Sequence, residues 1–256
     1  MLVILSPTKT LDMSVNRATD EYTIPDFLPK SQKLIRELQT KSIDDLTALM
    51  NISPKLAQLN FERFQQWQLP FKPDNAKQAL FAFKGEVFNG LEAGSLGEND
   101  LQFTQNHLVI LSGLYGTLRP LDLIQPYRLE MGTKSSFAGS KNLYEYWKET
   151  ITRSLKKALK SQGDNMLVNL ASNEYFKSID TKKLNARIVT PEFKENKNGV
   201  YKVVTIYAKK ARGMMTRFII KNRLSDPEQL KLFDEDGYFF NDRLTTHRDK
   251  PVFTRN

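Results

Sequence analysis

The residues of this chain with the types and spacing to do chemistry are mainly ones that handle phosphate. Asn51, Ser53, Pro54 and Lys55 lie in the run L-x-x-L-x-N-I-S-P-K-x-A, which extends from Leu46 to Ala57. Serine is a strong N-cap and proline suits the first helical position, so a helix is expected to start here with Lys55 in its first turn. A helix start offers unpaired backbone N–H groups and the positive end of the dipole, and both stabilise a phosphate oxygen. Asn51 tolerates a positive φ and suits the tight turn before that helix.

A second set, Lys209, Lys210, Arg212, Arg217 and Lys221, falls in a helical run over residues 208–222. Lys210, Arg217 and Lys221 share one stripe, expected to face out, while Ala211, Met215, Phe218 and Asn222 form an inward one. An exposed basic stripe on a rigid helix tracks a phosphate backbone and releases its counterions, although a simply solvated face has the same pattern. Gly213, in the middle of that run, costs about 1 kcal/mol relative to alanine and points to close approach of another backbone or a ligand.

The third set is Ser6, Lys9, Tyr115, Arg119, Tyr127, Arg128, Ser172, Glu174 and Tyr175. Lys9, Ser172, Glu174 and Tyr175 follow apolar runs of strand length, so they are expected to meet at one edge of a sheet, where α/β proteins place ligands. With Arg119 or Arg128 they would form a polar cleft. Glu174 is the candidate general base there, the arginines are bidentate phosphate ligands, and Tyr115 or Tyr127 is a surface for base stacking. The alternative for Arg128 is a pair with Glu130. No nucleophile elbow, P-loop, dinucleotide fingerprint or metal motif is present, so no reaction is encoded by a motif and neither a cofactor nor a metal is expected.

These side chains need elements to position them. Apolar strand-length runs stand at 2–5, 108–111 and 166–170, with further strands expected at 187–190 and 201–207 around a turn at 196–199. Helices are expected over 31–67, 98–106, 143–161 and 208–222, the third with a basic face of Arg153, Lys156, Lys157 and Lys160. Residues 81–91 read as extended. Residues 112–132, punctuated by glycine, read as a long ordered loop of the kind that often carries function. The alternation predicts an α/β fold, a mixed sheet flanked by helices in one domain over 1–256, with residues 31–68 as a helical subdomain. Within it, Ala57, Phe61 and Phe64 form the apolar stripe of the helix that starts near Ser53.

Charge narrows the function classes. The net charge of +9 is uneven: residues 141–223 hold 19 basic and 7 acidic side chains, while 1–140 hold 14 and 15 and 224–256 hold 5 and 7. A polyanion is the natural partner of such a surplus, and nucleic acid is the commonest soluble one. There is no cysteine, which excludes disulfides, a thiol nucleophile and sulfur-ligated clusters. The two histidines, His107 and His247, have no ligand-like spacing. No apolar run approaches the roughly 20 residues that span a bilayer, and the Met1 end lacks the pattern of a signal peptide, so the expectation is a cytoplasmic protein, monomeric and without a membrane partner.

The 46–57 run resembles the helix-hairpin-helix motif that grips DNA backbone phosphates, with Asn51 and Ser53 where the usual motif has glycine. An ordinary helical hairpin packed on a core reads the same way. Several segments in combination extend the likeness: Leu5 to Asp12, Leu111 to Gly116 with Arg119 to Asp122, Gln125 to Gly132, Asn169 to Lys177, and Tyr207 to Gly213. Together they resemble the bacterial peroxide stress protein YaaA family, nearly from end to end. The resemblance implies an unusual α/β fold with a positively charged cleft and a helix-hairpin-helix. It also implies DNA binding, double-stranded or branched and with little sequence choice, in the response to hydrogen peroxide, linked to limiting intracellular iron and oxidative DNA damage. An enzyme acting in the polar cleft on a nucleic acid or a phosphorylated small molecule is the alternative.

Overall fold

Strand β1 (Leu2–Leu5) is apolar and buried at every position, the signature of a strand covered on both faces. It sits at the centre of a five-stranded sheet. Parallel neighbours flank it, β2 (Leu108–Ser112) on one side and β4 (Met166–Asn169) on the other, with Val3 opposite both Leu108 and Val168. Strand β3 (Gly116–Leu118) returns antiparallel on β2, and β5 (Arg187–Val189) adds in parallel to β4, so the order is β3-β2-β1-β4-β5. The mixed sheet and its flanking helices are as the alternating pattern predicts. The computed structural model describes residues 1–14 and 19–256.

A second sheet is built from the carboxyl-terminal third. It joins β6 (Glu192–Lys197), β7 (Val200–Lys202), β8 (Phe239–Phe240) and β9 (Val252–Arg255) in the order β7-β6-β9-β8. Asn198 and Gly199, with φ of 54° and 81°, make the tight turn between β6 and β7. Tyr201 to Lys202 is all of the expected 201–207 strand that forms, because the following helix begins at Thr205.

Three helices fill residues 28–66: α1 (Leu28–Gln39), α2 (Ile43–Met50) and α3 (Pro54–Gln66). Ser42 and Asp45 close a capping box at the start of α2, and Asn51 ends it in the left-handed conformation, φ 50° and ψ 57°. Ser53 caps α3 by accepting from Leu56 N at 3.4 Å, with Pro54 in the first turn. Leu46, Ala57 and Phe64 are buried against the core and Phe61 is half-buried.

Farther along, α4 (Glu86–Leu91), α5 (Glu98–His107), α6 (Leu143–Gln162) and α7 (Thr205–Lys221) complete the main helices. The extended conformation expected over 81–91 does not form. Ala79–Ala82 and α4 are helical, with only Phe83–Lys84 extended between them. A dense apolar run has no clear period, and here tertiary packing selects the helix. Gly90 and Gly213 let α4 and α7 cross backbone to backbone: a Cβ on Gly213 would stand 1.8 Å from Val87 O, and one on Gly90 2.2 Å from Lys210 O. The mid-helix glycine therefore marks a close backbone approach. The 112–132 stretch is also more regular than a loop, since it contains β3 and a two-residue strand, Leu123–Ile124, paired with Lys77–Gln78. Among the described residues no helix is long and apolar enough to cross a membrane.

Candidate functional site

Because β1 and β4 run parallel and adjacent, the segments leaving their carboxyl ends are neighbours. Leu170 N donates to Ile4 O at 3.0 Å, and just beyond, Ser172 N donates to Ser6 Oγ at 2.8 Å while the Ser6 hydroxyl donates to Ser172 Oγ at 3.2 Å. The chain after Ser6 is held in place by Thr10–Leu11, which pairs with Phe83–Lys84, and by the Lys84–Asp12 ion pair at 3.3 Å. Lys9 is thereby turned toward the opposite wall.

That wall is the glycine-punctuated 112–132 segment. Gly113 allows the carbonyl of Leu129 to approach to a position only 2.3 Å from where a Cβ would sit. Ser112 and Tyr127 share a hydroxyl hydrogen bond of 2.6 Å, and Gly132 N donates to Glu174 Oε1 at 2.9 Å. Glu130 receives Lys9 on one oxygen at 2.8 Å and Arg128 on the other at 3.2 Å. The start of α4 and the face of α7 carrying Lys209 and Arg212 form the third side. Together these segments enclose a cleft of about 440 Å³.

Electrostatics separate the cleft's cations into two kinds. Lys9, at 61% side-chain exposure, and Arg128, at 15%, both lean on Glu130, yet the Nε of Arg128 is buried with no acceptor among the described residues. Arg212 is half-buried and its guanidinium has no hydrogen bond or ion pair among the described residues; burial, uncompensated by any carboxylate, lowers its pKa. Burial also raises the phenols of Tyr175 and Tyr127 above their ordinary value, so both stay neutral, and Tyr127, buried with its hydroxyl spent on Ser112, has no open ring face for a base to stack on.

Of the residues singled out in the sequence, Ser6, Lys9, Tyr127, Arg128, Ser172, Glu174, Tyr175, Lys209 and Arg212 line this one cleft. Arg119 and Tyr115 do not. Arg119 turns away to Asp122 at 3.0 Å and Asp26 at 3.5 Å, and helps line a separate hollow with Gln105 and Lys157. Tyr115 is fully buried, its hydroxyl receiving Trp67 Nε1 at 3.2 Å and donating to Gln125 O at 3.3 Å. The polar cleft is therefore assembled around Arg128 and Arg212 rather than Arg119. Glu174 spends one oxygen on Gly132 N, which makes it a tether between the two walls.

The stripe of Lys210, Arg217 and Lys221, expected to face out and track a phosphate backbone, is instead engaged within the fold. Lys210 pairs with Asp236 at 3.2 Å and Lys221 with Asp100 at 2.7 Å, while Arg217 donates to Ser95 Oγ at 2.7 Å. These cations fasten α7 to its neighbours. The basic side chains of α6, by contrast, are exposed as expected, and Arg153 has only a 3.7 Å pair with Glu149. Lys55, Asn51 and Ser53 are exposed at the α2–α3 turn. Along α3 the 1.5 Å rise per residue puts Lys55 about 12 Å from Arg63. Arg63 is half-buried and lies close enough to Arg128 for that charge, after burial, to lower its pKa.

Lys84 and Glu86 line the cleft without having been singled out. No local pattern marks them, because a two-residue strand pairing from more than seventy positions away brings them there. Residues 1–244 of the chain match the model of the family described as peroxide stress protein YaaA.

Proposed function

The chain belongs to the peroxide stress protein YaaA family, and from that premise we propose that it binds DNA in the cellular response to hydrogen peroxide. In this reading it acts in the cytoplasm and helps limit intracellular iron and the oxidative DNA damage that iron drives. The observation that supports DNA binding is the cleft between β1, β4 and α7, where Arg128 and Arg212 present donors that no acceptor of the described residues satisfies. The buried Nε of Arg128 is an unsatisfied donor, which costs about 1–3 kcal/mol, and the half-buried guanidinium of Arg212 is free to make charge-assisted bonds to an oxygen-rich anion. Lys209 adds an exposed charge at the rim. The α2–α3 turn supplies a second contact, with the capped start of α3 and Lys55 set toward a phosphate.

Contacts of this kind read charge and backbone position and carry no base identity, so little sequence preference is expected. Duplex or branched DNA titrated from about 50 to 200 mM salt should lose affinity steeply, by a slope of about one per phosphate contact. Lys209→Glu should weaken binding at every salt concentration. Binding that ignores salt, or no binding at 50 mM, would sink the proposal.

A further inference from the structure

The cleft has a feature that binding along a phosphodiester backbone does not require. Its lining holds five cations, Lys9, Lys84, Lys209, Arg128 and Arg212, against three carboxylates, Glu86, Glu130 and Glu174. Lys84 is held by Asp12 just outside the lining, so the net excess is one, and the cations with no carboxylate partner among the described residues are Lys209 and Arg212, two charges to set against the about −1.5 to −2 of a phosphomonoester at neutral pH. The two arginines are also the least exposed of these cations. Arg128 keeps one guanidinium nitrogen on Glu130 and leaves its buried Nε empty, while Arg212 has no partner among the described residues. Elsewhere α7 finds a partner for each cation of its other stripe, so this arrangement is specific to the cleft. The size points the same way. About 440 Å³ is within the range of small-ligand pockets and holds about one nucleotide, so a duplex would present a single phosphate or a strand end to it rather than enter whole. Pro7, Val87, Leu129 and Leu170 supply apolar lining for a sugar or a base.

We propose that the cleft is a subsite for a phosphomonoester attached to a nucleoside-sized group, its phosphate bound by the guanidiniums of Arg128 and Arg212. The phosphate belongs either to the end of a DNA strand or to a free mononucleotide. The first source rests on the DNA-binding reading and the second does not.

The test uses the full chain and two matched pairs of probes: an oligonucleotide duplex with 5′-phosphate or 5′-hydroxyl ends, and dAMP or deoxyadenosine. The phosphorylated member of at least one pair should bind about tenfold tighter or more, as expected for two charge-assisted contacts. Arg212→Ala should erase that preference and Arg212→Lys should keep part of it, since lysine retains the charge without the bidentate fork. Arg212 holds no ion pair whose loss would unfold the chain, and the wild-type comparison stands without any variant. A preference for the phosphorylated strand alone assigns the subsite to DNA ends, and one for dAMP alone assigns it to free nucleotides. Equal binding within both pairs overturns the inference. If DNA then still binds with a steep salt slope, the DNA-binding reading survives it; if dAMP is preferred and no DNA binds, the inference survives that reading.

Discussion

The α2–α3 turn and the cleft both offer positive charge to a phosphate, and they are built in opposite ways. At the turn every component is local: Ser42 and Asp45 cap α2, Asn51 takes the left-handed conformation, and Ser53 caps α3 within a dozen residues. Lys55 stands there exposed and solvated. In the cleft the side chains come from five separated segments; Arg128 pairs with Glu130 but keeps a buried Nε without an acceptor, and Arg212 is half-buried with none among the described residues. A solvated lysine gains little from an ion pair, whereas a desolvated guanidinium has an unmet electrostatic demand. On the proposed DNA-binding reading the turn would be the weaker point of contact and the cleft the stronger.

The most severe way to break the comparison is at the crossing of α4 and α7. Gly213→Val would place branched carbon where even a Cβ lies 1.8 Å from Val87 O. It should cost roughly 3 kcal/mol or more of stability, read as a fall in thermal midpoint, and should abolish the cleft while α2 and α3 keep their local caps. Next in size is charge reversal. Arg212→Glu should reduce affinity for duplex DNA by about tenfold or more, whereas Lys55→Glu should reduce it only several-fold and lower the salt slope by about one. Equal losses for the two in a salt-titrated binding assay would overturn the ranking. Ser53→Ala removes the cap of α3 and should cost about 1 kcal/mol in denaturant unfolding, with little change at the cleft.

The smallest effect is one of pH. Asp100 anchors α7, and its hydrogen bonds from Lys221 and then Arg223 bring its pKa from the ordinary 3.8 to about 2. A carboxyl lowered in this way stabilises the fold fully above the unfolded value, and the contribution disappears as pH falls from about 4 toward 2. Unfolding followed between pH 5 and 2 should show that loss, and Asp100→Asn should flatten it.

Much of the fold was legible in the residues themselves. The apolar runs at β1, β2 and β4, the caps of α3, and the reach of α6 follow from side-chain period and capping chemistry, which act over a few positions. Residues 81–91 were not legible, because their apolar density has no period and the glycine at 90 makes sense only against α7. The candidate site divides along the same line. Ser6, Lys9, Ser172 and Glu174 were accessible to reasoning because parallel adjacent strands deliver their following residues to one edge. Arg119 was misplaced because the sequence does not show that Asp122, three residues on, is buried and holds its guanidinium, with Asp26 folding back beside it. Lys84 gave no sign at all.

The sequence by itself determined the local helices and strands, the turn at Asn51 to Ser53, and the concentration of positive charge between residues 141 and 223. Only the tertiary structure decided which of those charges are spent. On α7, Lys210, Arg217 and Lys221 meet partners across the fold, while Arg212, on another face of the same helix, meets none among the described residues. The physical reason is range: capping and periodicity act between residues a turn apart, whereas pairing and desolvation depend on which distant segments the packed backbone brings within a few ångströms.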